Sequence, residues 1–130
     1  MSRETALHMA KAREFLRQAT SYDAGTMPEA AIHLAYYAMF HAAVAVLRRL
    51  GGKAPSKHAS VVGQFGRIVA DMGEPARSIG RSFNRALDVR LVSDYGTERQ
   101  DLVAMARRIL ADAERFVVFC DTWFDGTKPR

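Results

Sequence analysis

A chain of 130 residues, 48% hydrophobic and 25% charged, has the balance of one ordinary globular domain. Such a chain can bury roughly two-thirds of its unfolded surface. Its single cysteine, Cys120, excludes an internal disulfide and a cysteine-based zinc site, which fits a reducing cytoplasm. Lys and Arg outnumber Asp and Glu by 19 to 14, a formal charge of +5, and most of the cations are Arg, whose planar fork suits phosphate. That points to a nucleic-acid or nucleotide partner, although a merely solvated basic surface gives the same number.

The chain opens on MSRETALHMAKAREF, charged from the start and without a signal-peptide core. Helical spacing predicts a first helix from Glu4 to Tyr22, with Met9, Ala12, Phe15, Leu16 and Ala19 on one side. Asp23-Ala24-Gly25 ends it. Thr26-Met27-Pro28-Glu29 has the pattern of a capping box, with Thr26 as the cap of a second helix that runs to Leu50. Within it, Ala30 to Leu47 carries no charge and just reaches the length of a membrane span, about 18 residues. The run is rich in alanine and holds His33, His41, Tyr36 and Tyr37, so it is expected to be a helix buried all round in a bundle rather than in a membrane. Its apolar surplus suggests a contact with a second copy.

A loop, GGKAPS, leads to a third helix over Lys57 to Met72, stopped by Gly73. Pro75 opens a fourth, which continues to Tyr95. Thr97 and Gln100 form another capping-box pattern before a fifth helix with the stripe Leu102, Ala106, Ile109, Ala113, Phe116, Cys120 and Trp123. The tail, residues 125–130, is expected to be disordered. No window alternates like a strand. The reading is an all-α domain over residues 1–124, an antiparallel up-and-down bundle of four to five helices.

On the fourth helix Ile79, Phe83, Ala86 and Leu87 share one face, and Arg90 falls inside that arc. Asp94 lies one turn further on, within reach of an ion pair with Arg90. Burying a guanidinium is costly unless it is paired, so two readings stand: a structural ion pair closing the bundle end, or a cleft in which Asp94 orients Arg90 toward a phosphate oxygen. Arg77, Arg81 and Arg85, four residues apart, make a basic ridge that could carry an RNA backbone or simply be solvated. His41 and His58 are the candidate proton carriers, each more often a satisfied core residue than a catalyst. No metal-ligand spacing, Walker loop, dinucleotide fingerprint or nucleophile elbow occurs, so neither a metal nor a cofactor is expected.

Taken together, AIHLAYYAMFHAAVAVL, KHASVVGQFGRIV and RALDVRLVSDYG resemble the HEPN domain superfamily, in particular the small prokaryotic proteins encoded beside minimal nucleotidyltransferases. The resemblance spans residues 30 to 96 and implies a bundle of four or five helices, usually a homodimer that pools two copies of a motif in one cleft. Many relatives are toxins that cleave RNA without metal, using an arginine and, after four to six intervening residues, a histidine. Arg90 matches that arginine, but Tyr95 stands where a histidine would, and no histidine follows His58. The resemblance also implies a nucleotidyltransferase partner able to modify a tyrosine near the motif, for which Tyr95 is the candidate. Two functions follow: an RNA-targeting toxin-type protein with Arg90, Asp94, Tyr95 and His41 or His58 in its cleft, or a non-catalytic module that binds RNA or a nucleotide and docks such a partner.

Overall fold

The structure, a computed structural model, describes residues 2–51, 53–93 and 98–124, and of residues 99 and 100 the backbone alone. Its five helices are α1 (Arg3–Ser21), α2 (Pro28–Gly51), α3 (His58–Ala70), α4 (Ala76–Ser93) and α5 (Arg99–Asp121). No strand occurs among the described residues. Each helix packs on the next in sequence, and α2 touches all four others.

That centrality explains the composition of α2. Thirteen of its 24 residues are buried, and six of them, Ala31, Ala35, Ala38, Ala42, Ala43 and Ala45, are alanines whose small side chains let four neighbours approach. By length and hydropathy α2 could cross a membrane, yet 67% of its apolar window is enclosed by the rest of the chain. Two-thirds of the apolar surplus read as a surface for a second copy is therefore covered within one chain, with Leu34, Tyr37 and Phe40 left part-exposed.

The stripe on α5 is buried as its spacing predicts, from Leu102 through Ala106, Ile109, Ala113 and Phe116 to Cys120. Phe116 meets Phe65 of α3 and Phe83 of α4, each at 4.9 Å between ring centroids, and Phe65 and Phe83 stand edge to face at 5.9 Å. All three rings are fully buried. Such pairs add about 0.5–1.5 kcal/mol each beyond the area they bury. Cys120 is enclosed too, and burial pushes its thiol pKa well up.

The helix ends follow local chemistry that differs in places from the pattern. Ser2 caps α1, its hydroxyl accepting from the Thr5 N–H at 3.2 Å. Asp23 organises the next turn: its carboxylate accepts from the Gly25 N–H at 2.9 Å, and its carbonyl from the N–H groups of Thr26 and Met27. Thr26 does not cap α2. It sits one residue too early, inside the Asp23 turn, where its hydroxyl donates to the Asp23 carbonyl at 3.3 Å, while the Met27 carbonyl accepts the first helical bond from Ala31. At α4 the Glu74 carboxylate accepts from both the N–H and the hydroxyl of Ser78, a cap the pattern search missed. Gly73, at φ 73°, makes the turn before it. The second capping-box pattern and the tail lie outside the described residues.

The glycines of the α3–α4 pair differ sharply. A Cβ on Gly80 would stand 2.6 Å from Cγ2 of Val69, whereas one on Gly66 would meet nothing within 4 Å. Val69 is buried and β-branched, so it cannot swing away cheaply. Overpacking of about 1–3 kcal/mol then outweighs a helix-propensity gain of about 1 kcal/mol, and Gly80→Ala is expected to lower the urea midpoint. Gly66→Ala is expected to raise it. Equal shifts of one sign would refute the close α3–α4 approach.

Candidate functional site

The buried face of α4 runs through Ile79, Phe83 and Ala86. Arg90 extends it at partial burial, and its guanidinium carbon lies 5.3 Å from the ring centroid of Tyr36 and 5.6 Å from that of Tyr37, both on α2. An apolar-looking stripe thus ends in an arginine because two adjacent tyrosines offer it ring faces. Cation–π contacts of this kind contribute about 0.5–2 kcal/mol, more as water is excluded. The Arg90 Nε is buried and has no hydrogen-bond partner among the described residues. Asp94 and Tyr95, its expected companions, lie outside the described residues.

The hydroxyl of Tyr36 reaches across to α3, where it is 2.8 Å from Nδ1 of His58. Tyr36 is fully buried, and burial lifts its pKa to about 12 despite the opposing pull of the Arg90 charge. It stays a neutral phenol and holds one imidazole nitrogen. His58 is stacked on Phe40 at 4.1 Å between centroids and on Tyr36 at 5.6 Å. Its pKa is lowered, first by burial and then by the Arg90 charge, so the ring is neutral at pH 7. Either tautomer satisfies the bond to Tyr36. If His58 donates, Nε2 is a bare base; if Tyr36 donates, Nε2 carries the proton. A guanidinium, a phenol and a neutral imidazole therefore lie together where α2, α3 and α4 meet, the phenol sealed in the core and the other two part-buried.

His41 occupies a different position. Its Nδ1 is 3.0 Å from Nδ1 of His8 on α1, and its ring stacks on Phe15 at 5.5 Å. One proton must lie between these two nitrogens, so one ring donates and the other accepts. The His41 pKa is pushed down to about 4, by burial above all and then by His8, Lys11 and His58; that of His8 is lowered by burial, Arg48 and Lys11. Of the two candidate histidines, His58 is thus the one that shares a ring contact and a charge interaction with the Arg90 group. Pattern reading missed Tyr36 and His8 as the hydrogen-bond partners of the two candidate histidines. Tyr36 stood inside a run whose apolar burial hid its hydroxyl, and no spacing rule links His8 to a residue 33 positions away.

The basic ridge on α4 is divided. Arg85 turns toward α5 and Asp112, 3.5 Å from its carboxylate, and lines a cavity of about 230 Å³ between α4 and α5. Arg81 bonds Glu74 and Ser78, each at 2.9 Å, and with Arg77 borders a groove on the α3 side. The three do not form one continuous track. Among the described residues no three His, Cys, Asp or Glu side chains gather as metal ligands.

Comparison with known proteins gives a consistent family. The model for the HEPN domain matches residues 5–123. The putative toxin of Methanocaldococcus jannaschii is 34% identical over 87 residues, 67% of this chain, and the match spans 63% of that protein's length, just under two-thirds. A UPF0332 protein of Archaeoglobus fulgidus is 33% identical over 115 residues, 88% of this chain and 90% of its own.

The histidine cluster sets a pH dependence. His8, His41 and His58 all have folded-state pKa values below 6.5, so the unfolded chain binds more protons from there down to about 4, the value for His41. The stability they support is full above pH 6.5 and is lost as pH falls through that window. Glu14 and Glu74, held low by hydrogen bonds from Arg17 and Arg81, act only below the ordinary glutamate range. Urea midpoints at pH 7.5, 6.5 and 5 are expected to fall in that order, and His41→Phe, which keeps the ring stack, to flatten the slope. A flat wild-type series would contradict the neutral His8–His41 pair.

Proposed function

The chain belongs to the HEPN domain family, and we propose that it is a toxin-type member acting on RNA through the cleft of Arg90, Tyr36, Tyr37 and His58. The observation that carries this reading is the chain of contacts from the Arg90 guanidinium, over the Tyr36 ring, to the imidazole bonded to the Tyr36 hydroxyl. The name of the M. jannaschii relative points the same way.

In such a reaction the ribose 2′-oxygen attacks the adjacent phosphorus and the O5′ oxygen leaves. One proton must come off the 2′-hydroxyl and one must reach the leaving oxygen. Nε2 of His58 serves as the proton carrier, with its ring fixed by Tyr36 on one side and Phe40 on the other. Arg90 supplies hydrogen bonds and charge to the phosphate as negative charge builds up. Tyr37, half-buried beside Arg90, offers a face for a base. Asp94, one helical turn on in sequence, would orient Arg90. A homodimer would bring two clefts together through the end of α4, where Leu91 beside Arg90 is 44% exposed. Tyr95 is the residue at which a nucleotidyltransferase partner would add bulk and negative charge beside Arg90 and so close the cleft. This reading places the protein in the cytoplasm, with its RNA.

A second reading, a non-catalytic module that binds RNA or a nucleotide, is favoured by Tyr95 at the position of the family's motif histidine.

Purified protein incubated with total RNA distinguishes them. Cleavage unaffected by EDTA is expected, reduced about 10²-fold or more in His58→Gln and about 10²–10³-fold in Arg90→Ala, with both variants keeping the helical circular-dichroism spectrum. Tyr36→Phe is expected to shift the pH profile of cleavage, since it frees Nδ1 of His58. RNA binding that Arg90→Ala abolishes, with no cleavage by the wild type, would establish the second reading instead.

A further inference from the structure

Mid-helix glycines cost a helix about 1 kcal/mol each relative to alanine, and α3 carries two, Gly63 and Gly66. Gly80 on α4 is explained by packing against Val69. The α3 pair is not: a Cβ on Gly66 would meet nothing within 4 Å, and one on Gly63 only Nη1 of Arg67, at 3.7 Å. Their missing side chains leave a groove of about 390 Å³ between α3 and α4, bordered by Arg67, Arg77, Arg81 and Asn84. That volume lies in the range of small-ligand sites, about 300–1,000 Å³.

The charge in the groove is one-sided. Arg81 has a carboxylate partner, Glu74, at 2.9 Å. No described carboxylate lies within ion-pair distance of Arg67 or Arg77. Three guanidiniums and a side-chain amide thus border a space whose wall is made by Val62, Val69 and Ala70 and, between them, the bare backbone of the glycines, where a ligand can come close to the chain itself. Arg81 precedes Arg90 by nine residues, which at about 100° per residue puts it on the opposite side of α4. The groove opens away from the Arg90 cleft.

We propose that the α3–α4 groove is a second anion site, separate from the cleft, that binds the phosphate of a nucleotide, free or within an RNA strand. Arg67 and Arg77 present bidentate forks to phosphate oxygens, and Asn84 donates from its amide. Arg81 exchanges its exposed Glu74 contact for the ligand. Gly63 and Gly66 keep the wall open.

Binding is measured by fluorescence anisotropy on the full chain in an Arg90→Ala background, which removes the phosphate contact of the cleft. The probes are labelled AMP and a labelled single-stranded oligouridylate. Gly66→Leu fills the groove while raising helix propensity, and an Arg67→Ala/Arg77→Ala double variant removes its unpaired charge. At least one probe is expected to bind, with affinity reduced about tenfold or more in either variant and a shallower salt dependence in the double variant. Binding of the oligonucleotide alone identifies RNA as the phosphate source; binding of AMP identifies a free nucleotide. The proposal is overturned if neither probe binds, or if both variants melt like their parent and bind with unchanged affinity.

Discussion

The whole arrangement rests on the need to bury α2 on every side. A helix with Ala31, Ile32, Ala35, Tyr36, Ala38, Met39, Ala42, Ala43, Val44, Ala45, Val46 and Leu47 all withdrawn from water cannot lie on a surface. It recruits all four other helices as walls, and its alanines let them come near. Once α2 is central, α3 packs its backbone against α2 and α4, and the phenylalanine trio of α3, α4 and α5 closes the opposite side of the core.

Central placement also dictates the chemistry of the cleft. A phenol sunk in the core must find a hydrogen-bond partner, because a buried hydroxyl left without one costs roughly 1–3 kcal/mol. For Tyr36 the partner is His58, the first residue of α3. Arg90 meets the same pressure at the end of the α4 face and lies against two tyrosine rings, while one of its nitrogens has no partner among the described residues. Such a cation retains unused hydrogen-bonding capacity, which is what recognition of an anion requires. The packing here comes from one cause: polar groups drawn inward by an apolar helix and bound to each other.

Much of this was legible in the sequence. The five helices, the enclosed second helix and the α5 stripe follow from spacing alone, because burial on a helix repeats with the helix. Arg90 stood out because it broke such a spacing. What held it did not: the tyrosine faces come from α2, more than 50 residues away in sequence, and no local pattern encodes that meeting. The same applies to His8 and His41, joined across 33 residues. The ridge of Arg77, Arg81 and Arg85 was only partly legible for the opposite reason. Equal spacing on one helix face is real, yet carboxylates on the approach to α4 and on α5 draw Arg81 and Arg85 different ways. Thr26 shows how one position decides a cap, since its hydroxyl serves the turn before the helix rather than the helix itself.

Cys120 gives the molecule a built-in reporter. Its sulfur is sealed against solvent on α5, and burial keeps it in the unreactive thiol form. An alkylating reagent can reach it only when α5 leaves the bundle, so the rate of modification counts those openings one molecule at a time. With no second thiol in the chain, every labelled protein records the same event.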